Sequence, residues 1–406
     1  MTNIIRENDI KKKRLMRMLS AVMTLLVCMS VLWNGTAANA TTQPTVPDSM
    51  QPMELGPLMI QTSYNLYLDI WRGEVGDGNK LTLWQNSGGD NQKWKLAVAS
   101  DGTFQIKSVL NPAYCVDYVW WYDASQAKNR KVTAIKFCSG TANSQKFFIQ
   151  PTGNSVPGEW DKFVIRSVEA DTDCLDVKGG NFSNGEWALI YGCHNPVTEN
   201  QRWLLVPTGG LGDISSTLRR LADFRALKMY DDSSPRVPSI TYTSSTTPQT
   251  ILSPFKPVSD MTWNGTTSTT DYTINWSTAL TSQSTFGVSQ STKITLGTGK
   301  DSPVNFQIEQ TVGTNWSWMS STQTSTGGSY KMTIKPSTGG WMIRSQLVNQ
   351  ITGKFTISND LGTTWTTEEM TSTIPLTDGA NNQSSVLVAC TTDSTDSKCQ
   401  NNRPPL

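Results

Sequence analysis

The chain has 406 residues with 34 basic, 33 acidic and one histidine, for a formal net charge of +1. No basic patch stands out, and a nucleic-acid partner would ordinarily leave one. The C-terminal half contains no histidine, which excludes Ser-His-Asp and Cys-His catalysis and histidine-ligated metal there.

The first 40 residues read as an export signal. Lys11-Lys12-Lys13-Arg14 and Arg17 form a basic n-region, and Leu19 to Leu32 an apolar run of about 14 residues, short for a bilayer span. Ala38-Asn39-Ala40 is a small-x-small cleavage site, so the expected mature chain starts at Thr41, with 41–54 as an N-terminal extension. An uncleaved anchor is the alternative. The basic n-region and the Ala-x-Ala step point to a bacterial exporter and a secreted, extracellular product. Cleavage leaves 28 basic and 31 acidic residues, in about 365 residues that suffice for two or three domains.

A motif then recurs three times: Asn91-Gln92-Lys93-Trp94, Asn143-Ser144-Gln145-Lys146-Phe147 and Asn200-Gln201-Arg202-Trp203. Each follows an apolar-Asp-apolar step (Leu68-Asp69-Ile70, Val116-Asp117-Tyr118, Leu175-Asp176-Val177). A period of roughly 50 residues implies one supersecondary unit used three times, because a single unit cannot bury its own apolar face. These residues resemble the Gln-x-Trp repeats of the ricin-B type β-trefoil lectins, over residues 55–208. The resemblance implies an all-β trefoil with shallow sugar sites. In such a site an aromatic ring takes the C–H face of a pyranose, while a carboxylate and an amide take its hydroxyls.

Carried over residue by residue, the first repeat has Asp69 as carboxylate, Trp84 as ring, and Asn91 and Gln92 as amides. The third has Asp176, Tyr191, Asn200 and Gln201. The second keeps Asp117 and Gln145, but Lys136 stands at the ring position and Ser144 replaces the Asn, so no ordinary sugar site is expected. Its Tyr118, Trp120, Trp121 and Tyr122 suit an altered glycan site, a membrane interface or core. Trp94, Phe147 and Trp203 read as core. Gln92 and Gln201 serve equally well as loop tethers, the aspartates can be structural, and His194 reads as a loop residue.

Without Cys28 in the signal, six cysteines remain, which allow 15 connectivities. The first four fall inside single repeats at positions often bridged in the ricin-B family. The resemblance therefore implies Cys115–Cys138 and Cys174–Cys193, leaving Cys390–Cys399 to close a small loop in the 390–406 tail. Zinc is the rival reading, but no Cys-x-x-Cys spacing exists. Neither metal nor cofactor is expected.

After the Pro207-Thr208-Gly209-Gly210 linker, Ile214, Leu218, Leu221 and Ala222, with Arg225 opposite, predict a helix to about Lys228, capped by Asp213 or Ser215. Extended coil with an edge strand is expected over 233–257. Between Met261 and Tyr330, 29 of 70 residues are Ser or Thr, too polar for a compact hydrolase core. Within 284–312 the sequence alternates. Phe286, Val288, Ile294 and Leu296 share one face, a turn covers 297–303, and Val304, Phe306 and Ile308 share the returning face. Lys293 and Glu309 fall on the other face, as a barrel wall between lipid and water requires. Gln290 and Gln310 interrupt the apolar face, and a half-buried sandwich strand shows the same alternation.

A Ser/Thr-rich alternating domain after a secreted lectin resembles, over 212–390, the aerolysin and epsilon-toxin family of β-pore-forming toxins, and equally the binary mosquitocidal toxins. That resemblance implies an elongated pore-forming domain over 209–389 with 284–312 as its insertion hairpin. It also implies surface glycans (galactose-type) and a target membrane as partners, tail cleavage near Lys398 or Arg403, a homo-oligomeric ring, and room for a second toxin component. The expected function is a secreted, non-enzymatic, carbohydrate-binding pore-forming toxin. The alternatives are a secreted lectin or adhesin with a structural β-domain, and a glycosidase with an appended lectin. The latter would use a carboxylate pair among Asp260, Asp271, Glu309, Glu368 and Glu369.

Overall fold

The structure, a computed structural model, describes residues 53–153, 162–208, 214–278, 283–286, 294–297, 302–312, 326–376 and 385–405. Four short strands per repeat build the N-terminal part. They are β1 (Met53–Gln61), β2 (Leu66–Ile70), β3 (Leu81–Gln85) and β4 (Trp94–Val98), then β5 (Phe104–Ser108), β6 (Tyr114–Asp123), β7 (Lys128–Phe137) and β8 (Phe147–Pro151). The third set is β9 (Lys162–Ser167), β10 (Asp173–Val177), β11 (Ala188–Gly192) and β12 (Trp203–Pro207). β1 pairs with β12 from Leu58↔Pro207 to Gln61↔Leu204 and closes the ring. Trp94, Phe147 and Trp203 are the buried centre, one per repeat. This is a β-trefoil, and the protein is all-β with few helices.

The second repeat departs from its siblings in length: β6 and β7 run ten residues each, against five in β2, β3, β10 and β11. Trp120, Trp121 and Tyr122 stand exposed on β6, which removes the core reading for them. Cys115–Cys138 joins β6 to the chain just past β7, Cys174–Cys193 does the same for β10 and β11, and Cys390–Cys399 closes the tail loop.

Helix α1 (Ser215–Asp231) fills the predicted helical stretch and runs three residues further. Its N-cap is Ile214, which offers no side-chain cap, whereas Asp213 lies outside the described residues. The one-sided face proved too narrow: Leu218, Leu221, Ala222, Phe224, Ala226, Leu227 and Met229 are all buried, with Arg219 and Asp223. Buried positions on more than one side of the helix place α1 between two packed surfaces. Toward the trefoil, Arg225 donates to the Asp101 carbonyl and lies over the Phe148 ring, and Phe224 abuts Gly102. On the other side Arg220 pairs with Glu368, and Trp365 Nε1 donates to Asp223 at 2.9 Å.

Burial pushes the Asp223 carboxyl up to about 7, against the Trp365 hydrogen bond. The folded chain therefore holds a proton that an unfolded aspartate, near 3.8, has released. Stability falls as pH rises from about 4 to about 7 and levels above it. Asp223→Asn keeps an acceptor for Trp365 and removes this titration. Thermal melts from pH 4 to 8 should show a shallower slope and a higher melting temperature at pH 8; identical slopes would contradict the assignment.

The C-terminal part is organised on one strand, β21 (Thr338–Ser358), whose 21 residues span about 70 Å. Along one edge it pairs in turn with β13 (Ser239–Ser244), β14 (Gln249–Leu252), β15 (Lys256–Pro257) and β16 (Thr262–Asn264). Along the other run β22 (Thr364–Thr366), β23 (Met370–Pro375) and β24 (Ser385–Thr391). Gly353 allows the close approach of β13, since a Cβ there would clash with the Tyr242 ring and with the Thr243 carbonyl, 2.5 Å away. Apart from this sheet, β17 (Thr270–Thr278) and β20 (Thr326–Ile334) form a two-stranded ribbon.

The 284–312 hairpin does not have the predicted form. β18 (Gln283–Phe286) pairs with β19 (Ile294–Gly297) through Phe286↔Ile294, so the chain doubles back inside the supposed first arm. The second arm is a helix, α2 (Pro303–Val312), so Val304, Phe306 and Ile308 do not share a strand face. The physical reason is a coincidence of periods. Val304, Ile308 and Val312 are spaced for a strand face and equally for a helix stripe. Phe306 separates the two, and it is 54% exposed while Val304 and Ile308 are fully buried. Ser302-Pro303, read as part of a turn, is a helix start. Proline suits the first helical position, and Ser302 Oγ accepts from the Asn305 amide. Asp231 Oδ1 accepts from Ser302 Oγ and the Val304 amide, setting a carboxylate at the positive helix end. Val288 and Lys293 lie outside the described residues, as do the side chains of Phe286, Ile294, Leu296 and Glu309.

The trefoil grips the tip of the β21–β22 turn. Leu361 packs with Val164, Cys174 and Val197. Arg166, with no exposed surface, donates to both Asp360 oxygens at 2.6 and 3.2 Å, to Gln150 Oε1 and to the Asp171 carbonyl. Arg236 adds ion pairs to Asp360 and Asp171. Burial raises the Asp360 carboxyl, but its bonds to Arg166 and Arg236 outweigh that and hold it below the usual range.

Candidate glycan-binding sites

The Gln-x-Trp step is a scaffold for the upstream aspartate. Trp94 Nε1 donates to the Leu68 carbonyl at 3.1 Å and Trp203 Nε1 to that of Leu175 at 2.9 Å, each just before an Asp. Phe147 has no N–H to do this. The glutamine clasps the loop after the platform strand. Gln92 Nε2 donates to Asp69 and to the Gln85 carbonyl, and its Oε1 accepts from the Ser87 amide; Gln201 does the same with Asp176, Gly192 and His194. Both glutamines have no exposed surface, which favours the tether reading over direct sugar contact.

The aspartates differ in what they leave available. Asn91 and Gln92 both donate to Oδ2 of Asp69, at 2.8 and 2.7 Å. Asn200 and Gln201 both donate to Oδ2 of Asp176, at 2.7 and 2.8 Å. In each case Oδ1 has no hydrogen-bond partner among the described residues. Nearby, Trp84 and Tyr191 present 37% and 42% of their surface to solvent, far above the buried repeat aromatics. A free carboxylate oxygen in a site with an exposed ring is the combination a pyranose needs. In the second repeat Oδ1 of Asp117 is taken: the Tyr118 amide donates to it at 2.6 Å and Lys136 Nζ lies 3.8 Å away. Ser144 and Gln145 hold Oδ2.

Burial raises the Asp69 carboxyl, opposed by Gln92 and Asn91. It pushes Asp176 up to about 7, opposed by Gln201, Arg130 and Asn200. A hydroxyl donating to Oδ1 favours the charged form.

The third site has a wall that repeat-by-repeat reading missed. A cleft of about 400 Å³ joins Asp176, Tyr191 and Asn200 to His194, Thr198, and Gln126, Lys128 and Arg130 of the long β6–β7 hairpin. Arg130 is anchored on Asp123 at 3.1 Å and stands 5.9 Å from the Tyr191 ring centre. The signal available in the sequence was the length of that hairpin.

A closed β-trefoil with this aspartate, ring and amide constellation defines a carbohydrate-binding, lectin-type domain. Residues 59–128 match the model of the ricin-type β-trefoil lectin domain-like family. No curated protein matches the chain. Solved structures to which it is similar include a mosquitocidal holotoxin, 21% identical, over 39% of this chain and 18% of that one, with a TM-score of 0.31. The chain thus spans 18% of the holotoxin's length. The Rhizoctonia solani agglutinin is 23% identical over 39% of this chain and 98% of its own, with a TM-score of 0.29. The C-half of the earthworm R-type lectin, in complex with GalNAc, is 17% identical over 37% and 98%, with a TM-score of 0.27.

Proposed function

We propose that this chain is an exported glycan-binding protein that forms pores: the trefoil holds surface glycans through its first and third repeats, and the C-terminal domain supplies a membrane-inserting hairpin. The glycan reading rests on the unoccupied Oδ1 of Asp69 and Asp176 beside an exposed ring, against its occupation in the second repeat. Three disulfides fit an oxidising extracellular setting. The reading includes no catalytic step and no cofactor.

The pore reading draws its support from the register of the ribbon. β17 and β20 pair without a break from Thr270↔Ile334 to Thr278↔Thr326. Extending that register through 279–325 in an inserted state sets Phe286 opposite Trp318, Leu296 opposite Ile308, and a turn at Ser302. Phe286, Val288, Ile294, Leu296, Val304, Phe306 and Ile308 then share a face with Tyr272, Ile274, Trp276, Met332 and Ile334. Asp271, Lys293, Asp301, Glu309 and Lys331 fall on the opposite face, and Lys300, the exception, sits at the turn. One apolar and one charged face along both arms suits a barrel wall. Assembly of several copies into a closed barrel pairs every backbone group in lipid. Insertion requires α2 to unwind and Val304 and Ile308 to leave the core.

The full burial of Val304 and Ile308 favours a second reading, a secreted lectin or adhesin in which α2 is a fixed part of the fold. Dye release from galactose-rich erythrocyte ghosts, with and without brief trypsin treatment, separates the two. Release is expected for a pore former. Ghosts coated with protein yet tight under both conditions would leave the lectin alone.

A further inference from the structure

Where the hairpins of the three repeats meet, a second cleft of about 400 Å³ opens that no repeat's sugar site uses. It is lined by Trp71, Asn79, Lys80 and Thr82 of the first repeat, Trp121 of the second, and Trp187 of the third. The backbone bridges Lys80↔Ala134 and Thr82↔Trp187 tie the three hairpins together around it. Its volume lies in the range of about 300–1,000 Å³ usual for small-molecule sites.

The chemistry of this cleft is the reverse of that in the repeats. Each repeat site is built on a carboxylate; here no carboxylate lines the wall among the described residues. The Lys80 ammonium sits 3.2 Å from the Trp121 ring centre and 4.6 Å from that of Trp187, and has no carboxylate partner among the described residues. The neighbouring Lys178, also over Trp187, is already paired with Asp123 at 3.1 Å. Thr82 is 2% exposed, and its buried Oγ1 has no hydrogen-bond partner among the described residues. A cation lying on two indole faces is held in place by the ring quadrupoles with its charge uncompensated. An unpaired hydroxyl and three indole walls add a hydrogen-bonding group and flat apolar faces.

We infer that this three-repeat junction is an additional saccharide subsite, selective for an acidic sugar unit, with Lys80 receiving the anionic group and Trp121 and Trp187 flanking the ring. It does not depend on Asp69 or Asp176. Gly185 stands where the subsite meets the first-repeat platform: a Cβ there would touch both Trp71 of the cleft and Trp84 of the platform, at 3.7 Å each.

The test uses the full chain carrying Asp69→Asn and Asp176→Asn, so that loss of the repeat sites and loss of this one are read separately. Methyl glycosides of glucuronic acid, galacturonic acid and N-acetylneuraminic acid are titrated against methyl glucoside, methyl galactoside and sodium acetate, followed by indole fluorescence. At least one acidic glycoside should bind about ten-fold or more tighter than its neutral counterparts, and Lys80→Met should weaken it by about ten- to a hundred-fold. Lys80→Arg, which keeps the charge, should retain acid selectivity, and an unchanged melting temperature shows that Lys80→Met is folded. Equal binding of acidic and neutral glycosides, no binding of any acidic glycoside, an unaffected Lys80→Met variant, or saturation by acetate alone would each overturn the assignment.

Discussion

Replacing both Asp69 and Asp176 by Asn should abolish attachment to a surface coated with neutral galactosides, while Asp117→Asn leaves it intact. Asn is nearly isosteric, so the scaffold of Asn91, Gln92, Asn200 and Gln201 stays in place, but the charged acceptor is gone. Charge-assisted hydrogen bonds contribute about 1.5–3 kcal/mol each, so one shallow site holds a sugar weakly. Two sites on one chain raise surface affinity by roughly 10²–10⁴ over either alone. Each single variant should therefore lose most of the avidity yet still bind free galactoside, and the double variant should lose both. Surface plasmon resonance on immobilised galactosides reads this directly. Equal losses for Asp117→Asn and Asp69→Asn would remove the distinction drawn between the repeats.

The largest stability effect is expected at Asp360. Arg166 is wholly buried and bonded to both Asp360 oxygens, so Asp360→Ala leaves an uncompensated guanidinium between trefoil and sheet. Removing one partner of a buried pair costs about 3–5 kcal/mol. The lower half of that range applies, because Asp360 keeps 19% of its side chain exposed and water can enter. The exposed Lys335–Asp393 pair is the control, with side chains 72% and 39% exposed, and Asp393→Ala should leave the melt unchanged. A melting curve for Asp360→Ala that overlays the control would contradict the interface described. The sign with pH follows from the depressed carboxyl: the pair's contribution is full above the ordinary aspartate range and is lost as pH falls through the lower folded value.

What the sequence carried was local and repeated. The aspartate, the platform ring and the Gln-x-Trp step were legible because each belongs to a single supersecondary unit that occurs three times. Lys136 at the ring position likewise set the second repeat apart, and its Nζ lies beside Oδ1 of Asp117. Three features were not legible. The Gln126, Lys128 and Arg130 wall comes from a neighbouring repeat and exists only once the trefoil closes. Arg166 and Asp360, 194 residues apart, belong to no motif. The α2 segment was misread because Val304, Ile308 and Val312 satisfy both a strand and a helix period, and only the exposure of Phe306 distinguishes them. That ambiguity bears on function, since a segment patterned for both states is suited to convert from one to the other.

The measurement that tests the account most directly is dye release by Phe306→Asp beside Gln307→Asp. Phe306 is exposed in the folded chain, so a charge there leaves that fold intact, yet in the inserted hairpin it would face lipid, where a charge at mid-bilayer is costly. Gln307 would face the lumen. Both variants should coat ghosts normally, with release abolished by Phe306→Asp and kept by Gln307→Asp. Equal release by the two variants would contradict the alternation on which the inserting hairpin rests.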